Sequence, residues 1–111
     1  MHANEYQKLA LRTARTDLDS TQLLLNGALG LAGESGEVVD AVKKHLFQDH
    51  WLDRGHIQRE LGDVAWYLAI AAHAVECDLD TIFQMNIDKL KARYPDGFDA
   101  DRSVNRKDGD D

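Results

Sequence analysis

The sequence predicts an all-α protein with the architecture of a four-helix bundle. Apolar residues recur at intervals of three and four along most of the chain, which is the spacing of one helix face. Hydrophobic residues make up 43% of the 111 residues, and proline occurs once. A chain of this length supports one hydrophobic core, so we predict a single domain over residues 1–98.

The first two predicted helices are separated by the polar segment TDLDST. Asn4 is expected to cap the first helix, which runs to about Arg15. The second is expected over residues 21–47. It contains glycines that each cost roughly 1 kcal/mol relative to alanine inside a helix. They are Gly27, Gly30, Gly33 and Gly36. We therefore expect a close helix contact or a local kink near the acidic residues of this segment.

Residues 57–76 form the third predicted helix, and Asp80 is expected to cap a fourth that ends where Tyr94 meets Pro95. The positions expected on the inner faces of these helices are Leu24, Leu31, Val38 or Val39, Val42, Leu46, Ile57, Leu61, Val64, Leu68, Ala72, Val75, Ile82, Phe83, Ile87 and Leu90. Residues 99–111 are too polar to bury, so we predict a short irregular C-terminal tail.

Two pairs of carboxylates lie within these apolar patterns, Glu34 with Glu37 in GESGE and Glu60 with Asp63 in ELGD. Residues three apart on a helix point the same way, and their apolar neighbours place both pairs at the edge of a buried face. Four carboxylates meeting between two helices would repel one another and raise at least one pKa unless cations compensate. Either pair alone is typical of a solvated helix surface. The two together favour a metal site.

Carboxylate oxygens, in a chain without a cysteine or histidine cluster, select hard cations. We therefore expect Mg²⁺ as the cofactor, with Mn²⁺ as its substitute. Mg²⁺ commonly shares its ligands with substrate phosphates, which makes a nucleoside triphosphate the expected substrate. A water on the metal would become a better nucleophile near neutral pH.

Polar and basic residues that could bind such a substrate lie along the fourth predicted helix. They are Asn86, Lys89 and Arg93 on one face, with Tyr94 alongside. The same spacing is also typical of an ordinary solvated helix end. Lys43 and Lys44, which follow Glu37, allow the same two interpretations.

The two tryptophans could stack a nucleobase or pack in the core. Trp66 is expected mainly in the core, and the pattern favours neither role for Trp51.

Composition excludes several classes of partner. The chain has 20 acidic and 13 basic residues, and its net charge of -7 opposes binding to nucleic-acid polymers and anionic membranes. Cys77 is the only cysteine, so an intramolecular disulfide and a cysteine-rich zinc site are excluded. No segment has the apolar run of a signal peptide or of a membrane span. We therefore expect a cytoplasmic protein.

Three segments of the chain resemble one family, the all-α MazG-like nucleotide pyrophosphohydrolases. They are GLAGESGEVVDAVKK at 30–44, ELGDVAWYLA at 60–69 and NIDKLKARYPDGF at 86–98, with EYQ near the start as weaker support. The family pattern is ExxE, a variable gap, ExxD and an NxxKLxxRYP-like segment. The gap here is 22 residues, from 38 to 59.

This resemblance implies Mg²⁺-dependent cleavage between the α and β phosphates of a nucleoside triphosphate, releasing monophosphate and pyrophosphate in nucleotide-pool housecleaning. It also implies a homodimer or homotetramer. The implied catalytic and metal-binding residues are Glu34, Glu37, Glu60 and Asp63. The implied substrate-binding residues are Lys43, Lys44, Asn86, Lys89, Arg93 and Tyr94. Many relatives carry two adjacent glutamates where this chain has Gly33 and Glu34, so activation of the water stays open between Glu34 and Glu37.

Three other readings compete with this one. A noncatalytic nucleotide- or metal-binding bundle would keep the fold without turnover, and a structural adaptor would need no metal. A ferritin-like di-metal bundle expects two Glu-x-x-His motifs, which the sequence does not contain.

Overall fold

The computed structural model describes residues 1–105, which form five α-helices and no β-strand. The helices are α1 (Ala3–Ala10), α2 (Ser20–Phe47), α3 (Arg54–Ala74), α4 (Leu79–Arg93) and α5 (Ala100–Val104), and a 3₁₀ turn over Leu11–Thr13 follows α1. The all-α prediction is confirmed. No helix among the described residues is long and apolar enough to cross a membrane.

Aspartates begin the three long helices. Asp19, Asp53 and Asp78 precede α2, α3 and α4, and each side chain accepts a hydrogen bond from a backbone N–H of the first turn. The predicted caps, Asn4 and Asp80, are wrong because both residues lie within helices. They contact each other instead, since the Asn4 Oδ1 accepts the Asp80 N–H at 2.9 Å and thereby joins α1 to α4.

The end of α4 at Arg93 matches the prediction, because Pro95 cannot continue a helix. The predicted irregular tail is wrong over Ala100–Val104, which forms α5. Asp99 caps this short helix by accepting two backbone N–H groups. Residues 106–111 of the predicted tail lie outside the described part of the chain.

The central pair of helices, α2 and α3, is antiparallel and closely packed at its glycines. A Cβ on Gly27 would lie 2.9 Å from the Cβ of Ala71, and a Cβ on Gly30 would overlap the ring of Tyr67. Each step of three or four residues along α2 is therefore matched by a step back along α3. The close contact explains these two glycines, and the same register places Glu34 opposite Asp63.

The two glycines beside the acids have no such neighbours. Among residues 1–105, no atom beyond the adjacent residues and the local backbone of α2 lies within 4 Å of a Cβ added at Gly33 or Gly36. The α2 helix is nevertheless continuous through both positions. Packing at Gly27 and Gly30 supports the helix, so the glycines do not mark an interruption of α2.

An alanine-rich core forms where α1 and α4 pack against the C-terminal half of α3. Its buried members are Ala10, Ala69, Ala72 and Leu79. Trp66 packs against this cluster, and its Nε1 donates hydrogen bonds to the Ala10 carbonyl at 3.1 Å and to the Thr13 Oγ1 at 2.9 Å. The expected core role of Trp66 is therefore confirmed.

Gln7 is a buried polar residue at this core, with 6% of its surface exposed. Its Nε2 donates to the carbonyls of Ala69 and Cys77, both at 3.2 Å, and its Oε1 accepts the Leu79 N–H at 3.0 Å. The amide therefore satisfies three backbone groups around the α3–α4 connection. This bonding fixes α1 against both helices.

Much of the apolar surface of the single chain is exposed. Predicted inner positions with at least 38% of their surface exposed are Leu24, Val42, Leu46, Leu61, Val75, Phe83, Ile87 and Leu90. These assignments to the core are wrong for the single chain, because the other described helices do not cover these faces. Val38, rather than Val39, takes the half-buried position on α2.

Candidate functional site

Three of the four predicted acids meet between α2 and α3. Glu34, Glu60 and Asp63 each place one carboxylate oxygen within 4.8 Å of the other two. Glu34 and Glu60 are half-buried, whereas Asp63 is exposed. The antiparallel register produces this arrangement, because it sets the acid of one helix against an acid pair on the other. We call these three residues the acid cluster.

The acid cluster is electrostatically unfavourable when all three groups are ionised. A hydrogen bond shared with Glu60 is the largest cause that raises the pKa of Glu34 to about 7. Desolvation and the charges of Glu60, Asp63 and Glu37 raise it further. The repulsion expected from sequence contributes to this shift, but the hydrogen bond with Glu60 and desolvation are larger causes. A divalent cation would relieve the repulsion, and three carboxylates are the donor set that hard cations prefer.

Glu37 lies beside the acid cluster but is not one of its three members. Its carboxylate is near enough for its charge to raise the pKa of Glu34. Its side chain is exposed, and it lines a separate cavity at the end of α2. The structure therefore brings together three predicted acids closely and leaves the fourth at their edge.

Two residues near the cluster were not identified from sequence. The Nε2 of His56 lies 3.8 Å from the Glu60 Oε1, and Tyr6 has a raised pKa through desolvation and the charge of Asp63. The four-residue spacing of His56 and Glu60 on one helix is a signal that could have found the first. Tyr6 comes from the distant α1, and its proximity depends on tertiary packing.

Lys43 and Lys44 both bind Asp40, one turn earlier on α2. Their Nζ atoms lie 3.5 Å and 2.9 Å from its carboxylate oxygens. The Lys44 hydrogen bond is the largest cause of the lowered pKa of Asp40, and Asp40 in turn raises the pKa of Lys44. The charge of Glu37 also acts on Lys44. Of the two predicted lysines, Lys44 is therefore the one on which Glu37, an acid of the predicted site, acts.

The predicted substrate residues of α4 lie in different environments. Asn86 is exposed and Lys89 is half-buried. Arg93 is only 8% exposed, and its Cζ lies 5.9 Å from the centre of the Tyr94 ring. Tyr94 in turn packs on Phe98, with ring centres 5.3 Å apart. The C-terminal end of this face is therefore packed against its own chain.

A cavity of about 240 Å³ opens between the end of α2, the connecting segment and the start of α3. Glu37 and Lys44 line it from α2, and His56 lines it from α3. Trp51, which is 84% exposed, lines it from the connection. The cavity therefore adjoins the acid cluster, through Glu37 on one side and through the contact of His56 with Glu60 on the other.

Comparison with known proteins gives the family. The chain is 37% identical over 118 residues to the Gene 37 protein of Mycobacterium phage L5, an alignment that covers 99% of this chain and 98% of that protein. No solved structure matches the chain. Residues 22–98 match the model of the MazG nucleotide pyrophosphohydrolase domain, a segment that includes the acid cluster, Glu37 and all of α4. The chain belongs to the family of MazG nucleotide pyrophosphohydrolase domains.

Proposed function

We propose that this protein is a Mg²⁺-dependent nucleoside triphosphate pyrophosphohydrolase that acts in nucleotide-pool housecleaning. The reaction breaks the α–β phosphoanhydride bond with water and releases a nucleoside monophosphate and pyrophosphate. The observation that supports it most is the acid cluster, because three carboxylates from two helices lie within 4.8 Å of one another in a chain of this family. We assign the domain to residues 1–98 and place the protein in the cytoplasm.

The residues present fit a bound divalent cation. Glu34, Glu60 and Asp63 supply oxygen ligands. The hydrogen bond with Glu60, desolvation and the neighbouring negative charges raise the pKa of Glu34 to about 7, and a cation would favour its ionised form. Mg²⁺, or Mn²⁺ in its place, would neutralise phosphate charge and lower the pKa of a bound water. The protein's own contribution is to hold these carboxylates on two rigid, packed helices.

Glu37 is the fourth acid of the proposed site. We assign it to the metal site, either as a further ligand or as the group that accepts the proton of the attacking water. Its position at the edge of the cluster and its exposure support a contact with water or substrate. Glu37→Gln separates the roles, because loss of a ligand weakens Mg²⁺ binding and loss of a base lowers kcat with Mg²⁺ binding retained.

The substrate-binding residues in this proposal are Lys43, Lys44, Asn86, Lys89, Arg93 and Tyr94. Lys44 has the strongest support, because the charge of Glu37, at the edge of the acid cluster, acts on it. Its cation would attract phosphate oxygens once metal neutralises the neighbouring acids. The α4 residues are assigned by their match to the family segment.

A nucleotide panel tests the reaction. The full chain is incubated with each canonical ribo- and deoxyribonucleoside triphosphate and Mg²⁺, and the products are separated by ion-exchange chromatography. We expect monophosphate and pyrophosphate in equal amounts, with turnover lost in EDTA. Release of orthophosphate, or no turnover of any triphosphate, would reject the proposal.

Glu60→Gln identifies the site within the same assay. The substitution removes one cluster charge and is expected to lower kcat at least about 100-fold, since a ligand of the essential cation is lost. Glu5→Gln, at an exposed position in the first turn of α1, is the matched control and should leave kcat unchanged. Circular dichroism checks that both variants remain folded.

A noncatalytic nucleotide- or metal-binding protein is the second candidate. Gly33 favours it, because this position precedes Glu34 where many family members carry another acid. Saturable nucleotide binding with Mg²⁺, together with no product from any triphosphate, is the result that would select it.

A further inference from the structure

The cavity between α2 and α3 contains an exposed tryptophan that the fold does not use. Trp51 lies in the connection between the helices, with 84% of its surface exposed, and it lines the 240 Å³ cavity. The other tryptophan, Trp66, packs on the core and is fixed by two hydrogen bonds. An exposed indole beside a polar cavity offers a large flat surface on which an aromatic ligand can stack.

The cavity lies next to the site where the phosphates are proposed to react. Glu37 belongs to both regions, and the cavity residue His56 reaches to 3.8 Å from Glu60. A ligand in the cavity would therefore extend directly towards the acid cluster. A nucleotide has this form, since its base and its phosphates are separated by one sugar.

The charges of the cavity indicate which end of the nucleotide it binds. Its lysine, Lys44, is already paired with Asp40 at 2.9 Å. Glu37 and Asp53 add two further carboxylates to the lining. A phosphate group held within this cavity, away from the proposed metal, would meet more negative than positive charge, whereas a neutral base with N–H donors would find acceptors.

Asp53 is the carboxylate best placed to accept from such a base. Asp53 lies two residues after Trp51 in the connection and immediately precedes α3. Its Oδ1 accepts the His56 N–H at 3.0 Å. That bond fixes the side chain at the cavity. A carboxylate has two oxygens and several acceptor sites, so the cap does not exhaust its capacity.

We propose that this cavity is a nucleobase subsite in which Trp51 stacks on the base and Asp53 accepts a hydrogen bond from its exocyclic amino group. The subsite favours cytosine, adenine and guanine over thymine and uracil, because the latter two have no exocyclic amino group and their N3–H lies between two carbonyl oxygens that the Asp53 carboxylate would repel. This assignment rests on the proposed function for the position of the phosphates. It adds the residues that select the base.

Fluorescence tests the stacking without turnover. Deoxynucleoside monophosphates are titrated into the full chain with Mg²⁺, and the indole emission is recorded for the native protein and Trp51→Phe. We expect saturable quenching in the native protein and none in Trp51→Phe, whose remaining emission comes from Trp66. Equal quenching in both proteins, or none in either, would overturn the assignment.

The same titration tests base selection. The half-saturation concentration for dTMP should exceed those for dCMP, dAMP and dGMP by about fivefold, as expected for one hydrogen bond. Asp53→Asn keeps the oxygen that caps α3 but replaces the second carboxylate oxygen by an NH₂ group, which cannot accept a hydrogen bond. It should therefore abolish the difference between dTMP and the other nucleotides. Equal half-saturation for all four nucleotides in the native protein would overturn the role of Asp53.

Kinetics gives a second readout. Trp51→Ala should raise KM at least about fivefold, with kcat changed less than twofold, because stacking is lost without change at the acids. Trp51→Phe should recover most of the loss. The matched control is Phe47→Ala, an aromatic at the end of α2 with 80% exposure. An unchanged KM in Trp51→Ala, or an equal rise in Phe47→Ala, would overturn the assignment.

The outcomes separate this inference from the proposed reaction. Absence of triphosphate turnover in the native protein, with Trp51-dependent quenching intact, would reject the reaction and support the subsite. Normal turnover with quenching independent of Trp51 would retain the reaction and reject the subsite.

Discussion

At the scale of single residues, Glu34 makes the stability of the protein depend on pH. Its pKa of about 7 lies above the ordinary value of 4.5, so the folded protein retains a proton that the unfolded chain releases between these values. Unfolding therefore releases protons in this window, and the stability of the metal-free protein falls as the pH rises from about 4.5 to about 7. Glu34→Gln removes this contribution to the decline.

Urea unfolding in EDTA at several pH values measures the effect. The native protein should lose stability relative to Glu34→Gln as the pH rises through the window, and Mg²⁺ at pH 8 should restore stability to the native protein more than to the variant. Parallel stability curves for the two proteins would show that the acid cluster does not control this titration.

Gln7 is the residue whose polar contacts most directly support the core. Gln7→Ala leaves the Leu79 N–H and the carbonyls of Ala69 and Cys77 without the amide partner, and the bonds to Leu79 and Ala69 are buried. We expect a loss of at least about 2 kcal/mol in the free energy of unfolding, measured with urea. Gln58→Ala, at an exposed position of α3, should change it by less than about 0.5 kcal/mol. Similar values for both variants would contradict the role of Gln7.

At the scale of helices, the α2–α3 contact depends on glycine at Gly27 and Gly30. Gly30→Ala places a methyl group within the ring of Tyr67, and we expect a loss of about 1–3 kcal/mol of stability through overpacking. Gly62→Ala is the matched control, since no described atom beyond the adjacent residues and the local backbone of α3 lies within 4 Å of the added Cβ. It should gain up to about 1 kcal/mol from helix propensity. Thermal unfolding by circular dichroism compares them, and a stabilised Gly30→Ala would contradict the close contact.

At the scale of the whole molecule, the single chain is open. Its radius of gyration is 17.0 Å. A compact chain of this length has about 13 Å. Exposed apolar residues form a stripe on the face of α2 that points away from Glu34, namely Leu25, Leu29, Val39 and Leu46. A surface of this kind is typical of an interface, so we propose that the protein is a homodimer or homotetramer.

Sedimentation velocity at micromolar concentrations tests this assembly. The native protein should sediment as an oligomer, and Leu29→Asp should shift it towards the monomer because a charge would be buried in the interface. Leu29→Met keeps the apolar character and should leave the assembly unchanged. A native protein that remains monomeric at every concentration would exclude the proposed assembly.

The sequence predicted the helices and the acids because both depend on local spacing. Periodic apolar residues predicted α2 to within one residue at its start, and Pro95 marked the end of α4. The predicted caps at Asn4 and Asp80 failed because capping depends on backbone conformation, and several neighbouring acids fit the same pattern. Burial at Leu61 and Phe83 failed because amphipathic spacing identifies an apolar face without identifying what covers it.

By itself, the sequence determined an all-α domain with two pairs of acids. The two members of each pair share a helix face, since helix geometry brings residues three apart onto the same side. Only the tertiary structure decided that Glu34, Glu60 and Asp63 form the close group and that Glu37 lies at its edge. The reason is the register of α2 against α3, which is set by contacts at Gly27 and Gly30 far along the chain from their partners. No local pattern encodes that alignment.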